Sequence, residues 1–194
     1  RAGFGKTTLI MWLIKQRYGL GYEQFIIDVE GKELHKLVYE LGGQNIDCSD
    51  GDKGRINPLH IRFNVPDSEK EDEKIPLSEI KPLSSHIRFL RIFFDSYKGK
   101  SGERDIRILH DNLIEKGLER IYKRIMNIDY QTTAEYIVEH FSNEDYPVMM
   151  DLYEELKTMR DDADKNNNSI EKEKLNECIA FIRPLAKGAD AIIF

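Results

Sequence analysis

The first residues of the chain hold the pattern best suited to do chemistry, a phosphate-binding loop. The sequence begins Arg1-Ala2-Gly3-Phe4-Gly5-Lys6-Thr7-Thr8, which matches G-x-x-x-x-G-K-[ST] from its second position onward. Glycines at this spacing let the backbone wrap closely, so that successive N–H groups point at a phosphate. The following helix adds its unpaired N-terminal N–H groups and the positive end of its dipole. The pattern therefore predicts that a phosphate contacts Ala2, Gly3, Phe4, Gly5, Lys6, Thr7 and Thr8.

Two side chains of this loop have specific predicted roles with a nucleoside triphosphate. Lys6 is expected to reach the β- and γ-phosphates, and the Thr7 hydroxyl to bind Mg²⁺. The alternative is an ordinary glycine turn before a buried helix, but the apolar run at residues 9–14 is typical of a phosphate-loop helix packed against a sheet. Because the first glycine and the preceding strand are missing, we expect the sequence to be a piece of a longer protein. On its own it should bind nucleotide weakly at most and sustain no hydrolysis.

A second candidate site follows the apolar run Phe25-Ile26-Ile27, about 20 residues after the loop. Asp28 and Glu30 lie where the carboxyl end of a parallel strand would be, the edge at which such sheets bind ligands. Asp28 is a candidate to hold Mg²⁺ through water, and Glu30 to orient the attacking water. An ordinary strand-to-helix turn, with an acid capping the next helix, explains the same spacing equally well.

Composition indicates a globular chain of one domain or two small ones. It has 194 residues, 40% hydrophobic and 33% charged, and no run approaches the roughly 20 apolar residues of a membrane span. Its two cysteines lack C-x-x-C spacing, and none of the five histidines pairs at i, i+4, so no metal-ligand pattern is present.

Charge is distributed unevenly along the chain. The net charge is −6, yet residues 80–124 hold 11 Lys and Arg against 6 acids. A basic helix face can bind a phosphate backbone. Basic and acidic residues alternate here at helical spacing, however, which favours a solvated helix face over a nucleic-acid surface.

The order of apolar runs predicts an α/β fold, a partial P-loop NTPase (RecA-like) parallel sheet with a large all-α helical insertion. Residues 7–18 and 34–41 read as helices, each ended by glycines, and residues 24–28 and 44–48 read as strands. We therefore expect the first part of the ATPase core over 1–63, a linker over 64–77, a helical insertion over 78–188 and a returning core strand over 189–194.

The helical insertion is predicted from apolar stripes at spacings of three and four. The first is Leu83, Ile87, Leu90, Phe94 and Tyr97, and the second includes Leu118, Ile121 and Ile125. Thr132 to Glu135 reads as a capping box that opens a third helix, with Ile137, Val138 and Phe141. Two more stripes are Val148, Leu152, Leu156, and Leu175, Ile179, Ile182, with Pro184 disturbing the end of the last.

The combination of motifs resembles one family. After the phosphate loop come Ile26-Ile27-Asp28-Val29-Glu30-Gly31, Leu41-Gly42-Gly43 and Arg55-Ile56-Asn57-Pro58-Leu59. This series resembles the conjugation and type IV secretion motor ATPases, the fourth component of the VirB set and its TraC-type relatives, in the HerA–FtsK branch of P-loop ATPases. The motifs cover about residues 1–60. Val29 stands where the family usually has Pro, and Lys32 where it has a second Glu.

The resemblance implies an ATP- and Mg²⁺-dependent enzyme, with Lys6, Asp28 and Glu30 as catalytic residues and Thr7 and Asp28 at the metal. It also implies a cytoplasmic ATPase at the inner face of the cell membrane, peripheral to it, which works with other proteins of the apparatus. Such proteins assemble as a ring, often a hexamer, in which a neighbour's arginine completes the site. ATP hydrolysis would energise pilus assembly or transfer of DNA or protein.

Two other functions fit parts of the sequence. A HerA- or FtsK-like translocase would use the same ATPase chemistry on duplex DNA and would contact DNA directly. A nucleotide-binding scaffold without catalysis would use the helical region to bind partner proteins. The long helical region directly after Asn57-Pro58-Leu59 favours the secretion ATPase.

Overall fold

The computed structural model describes residues 5–28, 34–46, 56–63, 75–101 and 108–192, and all the regular secondary structure in these ranges is helical. These ranges form seven α-helices, one short 3-10 helix at Ala189–Ile192 and no β-strand. The α-helices are α1 (Lys6–Gly19), α2 (His35–Glu40), α3 (Pro82–Ser101), α4 (Ile108–Met126), α5 (Ala134–His140), α6 (Met149–Lys165) and α7 (Ser169–Lys187).

The predicted α/β fold is therefore wrong. Residues 24–28 are not a strand, and neither are 44–46, while 47 and 48 lie outside the described residues. A strand needs a neighbouring strand to pair its N–H and C=O groups, and an apolar run alone does not supply one. Phe25 is 89% and Ile27 is 80% exposed, so this run is not buried as a central strand would be. The predicted returning strand is 3-10 helix over Ala189–Ile192.

The chain divides into two compact units, an N-terminal unit (Arg1–Gly54) and a C-terminal unit (Arg55–Phe194). The N-terminal unit contains α1 and α2, whose buried apolar residues are Ile14 and Leu37. The irregular segment after α1, residues 22–28, is held against that helix by Gln24, whose Nε2 donates a 2.9 Å hydrogen bond to the carbonyl oxygen of Ile14.

The C-terminal unit is built around a hairpin of α6 and α7, which pack extensively on each other. The turn between them uses three asparagines. Asn167 takes a left-handed conformation with φ 58°, and the side chain of Asn168 accepts from the N–H of Glu171 to cap α7. Helix α4 packs on both helices of the hairpin, and α3 packs beside α4.

The apolar stripes of the C-terminal unit form one core. Leu83, Ile87, Leu90 and Phe94 of α3 are buried, as are Leu118 and Ile121 of α4, which agrees with the predicted periodicity. Three stripe positions differ, since Ile125 is 40%, Val138 is 57% and Val148 is 41% exposed. The cap of α5 is Thr133 and not Thr132, because Thr133 Oγ1 accepts from the N–H of Tyr136.

Candidate functional site

The predicted phosphate-binding residues begin helix α1. Gly5 is the residue before the helix and has φ 71°, a left-handed conformation that a Cβ would strain. The first helical hydrogen bond runs 2.9 Å from the N–H of Leu9 to the carbonyl oxygen of Gly5. The N–H groups of Lys6, Thr7 and Thr8 therefore have no acceptor within the helix. These three residues share one turn, as the motif requires.

The electrostatics of this helix end suit an anion. The first turn of α1 contains no acidic side chain, so nothing in it offsets the positive end of the helix dipole. Lys6 and Thr8 are exposed, and Thr7 is partly exposed. A cationic side chain, two hydroxyls and amides with no acceptor within the helix thus share one accessible turn, which is an arrangement that can bind phosphate. Ala2, Gly3 and Phe4 lie outside the described residues.

The two acidic residues of the second predicted site are only partly described. Asp28 is the last described residue of the irregular segment after α1 and is exposed. Val29 and Glu30 lie outside the described residues. The roles of Asp28 and Glu30 with Mg²⁺ and water stay predictions. No group of three or more His, Cys, Asp or Glu residues within the described ranges has the proximity of a metal site.

The Leu-Gly-Gly motif ends helix α2, and each glycine has a separate reason to be there. Gly42 has φ 73°, and its N–H donates to the carbonyl oxygen of Tyr39 at 3.0 Å. The N–H of Gly43 donates to the carbonyl oxygen of Val38 at 2.8 Å, which completes a Schellman motif. A Cβ on Gly43 would lie 2.9 Å from Cγ1 of Val38. The first glycine is required by conformation and the second by space.

The Ile-Asn-Pro-Leu motif belongs to the C-terminal unit and enters its core. Pro58 is buried and Leu59 is fully buried. The side chain of Asn57 accepts from the N–H of Leu59 at 3.0 Å and donates to the carbonyl oxygen of Pro147 at 2.9 Å. These are contacts of packing and attachment, and they assign Asn57 a structural role.

A buried polar pair that the sequence reasoning missed contacts the same segment. The Tyr122 hydroxyl donates a 2.6 Å hydrogen bond to the carbonyl oxygen of Leu59. Its oxygen is 3.1 Å from Nε2 of His86, which must therefore be the donor. Burial, with the nearby charges of His60 and Arg62, lowers the pKa of His86 to about 4. The sequence does contain a signal for this pair. Tyr122 lies among the apolar residues of a predicted helix, and a buried tyrosine hydroxyl needs a hydrogen-bond partner.

The basic side chains of α4 are paired with acids of the same unit. Arg120 and Arg124 both lie 3.5 Å from the Glu155 carboxylate. Lys123 lies 3.8 Å from Asp129, and Lys116 is 4.0 Å from Glu171. This pairing supports the interpretation of the basic stretch as a helix face whose charge is compensated within the protein.

No helix in the described ranges has both the length and the apolar character needed to cross a bilayer.

Comparison with known proteins gives a match among solved structures. The chain matches no protein-family model, and no curated protein sequence matches it significantly. Among solved structures, it is similar to VirB4 of Thermoanaerobacter pseudethanolicus with a TM-score of 0.72 and 27% sequence identity. The match covers 100% of this chain and 43% of that one. It confirms the resemblance to VirB4-type proteins that the four motifs indicated. The chain thus spans less than half the length of this relative.

Proposed function

We propose that this chain, similar in structure to VirB4 over its whole length, is part of the ATP-hydrolysing motor of a conjugation or type IV secretion apparatus. The observation that carries the proposal is this similarity, which covers the whole chain. It is supported by the position of Gly5-Lys6-Thr7-Thr8 at the accessible N-terminus of α1. Hydrolysis of ATP would energise pilus assembly or the transfer of DNA or protein.

In this proposal the turn at the start of α1 binds the phosphates of Mg²⁺-ATP. The amides of Lys6, Thr7 and Thr8 donate to phosphate oxygens, and the Lys6 ammonium offsets charge on the β- and γ-phosphates. The Thr7 hydroxyl is a ligand of Mg²⁺, and Asp28 binds the ion through water. Glu30 orients a water for in-line attack on the γ-phosphorus, and the products are ADP and inorganic phosphate.

The assembly follows from the same resemblance. We propose a ring of identical subunits, with an arginine from a neighbour compensating charge on the transferred phosphoryl group. The ring would lie at the cytoplasmic face of the cell membrane and contact other proteins of the apparatus. The pairing of Arg120 and Arg124 with Glu155 supports protein partners over DNA on this face of α4, since those cations are already compensated.

Phosphate release by the full-length protein tests this function. We expect Mg²⁺-dependent ATP turnover that Lys6→Ala reduces by two orders of magnitude or more and that Lys15→Ala, a change on the same helix, leaves intact. Nucleotide binding without turnover would instead support the scaffold function. DNA binding that weakens steeply with salt would support the translocase.

A further inference from the structure

The Ile-Asn-Pro-Leu motif takes no part in the proposed phosphate chemistry, yet its residues are hydrogen-bonded to α4 and to the connection between α5 and α6. Leu59 is fully buried and Ile61 is 2% exposed, although residues 56–63 form no helix or strand. Buried backbone groups outside regular structure need other partners. The motif supplies some of these partners itself.

The first part of the arrangement is made by Asn57. Its Oδ1 accepts from the N–H of Leu59, and its Nδ2 donates to the carbonyl oxygen of Pro147 in the connection between α5 and α6. A second bond joins the same two segments, since Nε2 of His60 is 3.0 Å from Oδ1 of Asn143. The rings of His60 and Tyr146 also contact each other, with centroids 4.0 Å apart.

The second part of the arrangement is made by side chains of α3 and α4. Tyr122 of α4 donates to the carbonyl oxygen of Leu59, and His86 of α3 donates to the oxygen of Tyr122. Both side chains are buried. The segment is therefore bound both by Tyr122 of α4, which is itself hydrogen-bonded to His86 of α3, and by the connection between α5 and α6.

We infer that Asn57 and Tyr122 are positioning residues that attach residues 57–61 to the C-terminal unit as an anchor. We call this set of bonds, from Asn57 to Leu59 and Pro147 and from Tyr122 to Leu59, the motif anchor. Without it, residues 57–61 detach from the helices, while the α6–α7 hairpin stays folded. In this inference the function of the Asn57 side chain is to make these two backbone hydrogen bonds.

Hydrogen exchange on the full-length protein, without nucleotide, tests the motif anchor. Tyr122→Phe keeps the ring and removes the bond to Leu59, so we expect amides of residues 57–63 to exchange about tenfold faster, with α6 and α7 unchanged. The control is Tyr130→Phe, which removes a hydroxyl bonded to Glu119 and should leave residues 57–63 as protected as in the wild type. Equal protection of residues 57–63 in both variants would overturn the inference.

Asn57→Ala is an independent test in case Tyr122→Phe speeds exchange throughout the core of the C-terminal unit. It should speed exchange in residues 142–148, which lie far from the substitution in sequence and are bonded to Asn57 through the carbonyl oxygen of Pro147. It should also leave Mg²⁺-ATP binding as it is in the wild type. Unchanged exchange in residues 142–148, or loss of ATP binding together with intact protection, would contradict the anchor and place the motif in the nucleotide site.

Discussion

The side-chain Nδ2 of Asn57 donates a 2.9 Å hydrogen bond to the carbonyl oxygen of Pro147. The bond joins a residue of the family signature to the connection between two helices of the C-terminal unit. Lys6 and Thr7, by contrast, lie in the first turn of α1 in the N-terminal unit. The motifs that identify the chain therefore divide into residues suited to phosphate and residues that hold the fold.

The buried carboxylate of Glu155 should contribute more to stability than an exposed acid. It is 8% exposed and lies 3.5 Å from both Arg120 and Arg124. Because the two arginines are more than a third exposed, solvent screens the attraction, and Glu155→Gln should lower the free energy of unfolding by about 1–2 kcal/mol. Urea denaturation measures this. Glu173→Gln, on an exposed position of α7, is the control, and equal destabilisation by both would contradict the assignment.

Gly117 sets how closely α4 approaches α6. A Cβ at this buried position would lie 3.2 Å from Cδ1 of Leu152 and 3.2 Å from Cδ2 of Leu156. Gly117→Ala should change stability little, because a gain in helix propensity of about 1 kcal/mol offsets the tight contact. Gly117→Val should cost about 2–3 kcal/mol more, since its added methyl groups must displace the two leucines. Thermal or urea unfolding distinguishes the two variants, and a valine variant as stable as the alanine variant would show that the helices separate easily.

His86 should make the protein less stable as the pH falls. Its pKa is lowered to about 4 in the folded chain, so the unfolded chain, with an ordinary pKa near 6.5, binds the proton more readily. The contribution of neutral His86 to the free energy of unfolding is complete above pH 6.5 and is lost progressively between pH 6.5 and pH 4. Between pH 7.5 and pH 5 we expect the free energy of unfolding to decrease by about 2 kcal/mol from this residue.

The control for this pH dependence is another histidine of the same unit. His86→Gln should remove that part of the pH dependence, at some cost in stability at pH 7.5, because the buried bond to Tyr122 changes. His140→Gln, on the exposed side of α5, should leave the slope of stability against pH as it is in the wild type. If His86→Gln has the wild-type slope between pH 7.5 and pH 5, the assignment is wrong.

Periodicity predicted the helices of the C-terminal unit well. Leu83, Ile87, Leu90 and Phe94 recur as one side of a helix must, and all four are buried. Local spacing does not decide how wide the buried face is, which explains why Ile125 and Val138 are exposed instead. Local sequence also does not decide which residue caps α5. Thr132 and Thr133 can both accept a hydrogen bond, and the position at which the helix begins makes Thr133 the cap.

The predicted sheet failed for a different reason. The run at residues 24–28 has strand composition, but a strand forms only where a second strand pairs with its backbone, and no pattern in the run specifies that partner. The attachment made by Asn57 and Tyr122 was also beyond prediction, because Asn57 is 90 residues from Pro147 in sequence and Tyr122 is 63 residues from Leu59. The phosphate loop could be proposed from the sequence because its glycines, lysine and threonines all lie within residues 3–8, and its binding of phosphate stays a prediction.

The central claim is that the turn from Gly5 to Thr8 binds the phosphates of ATP, and titration of the full-length protein with Mg²⁺-ATP tests it most directly. We expect saturable binding that Lys6→Ala weakens by at least tenfold, while Lys15→Ala, on the same helix, binds as the wild type does. Binding of equal strength by the wild type and Lys6→Ala would contradict the claim, and with it the proposed motor function.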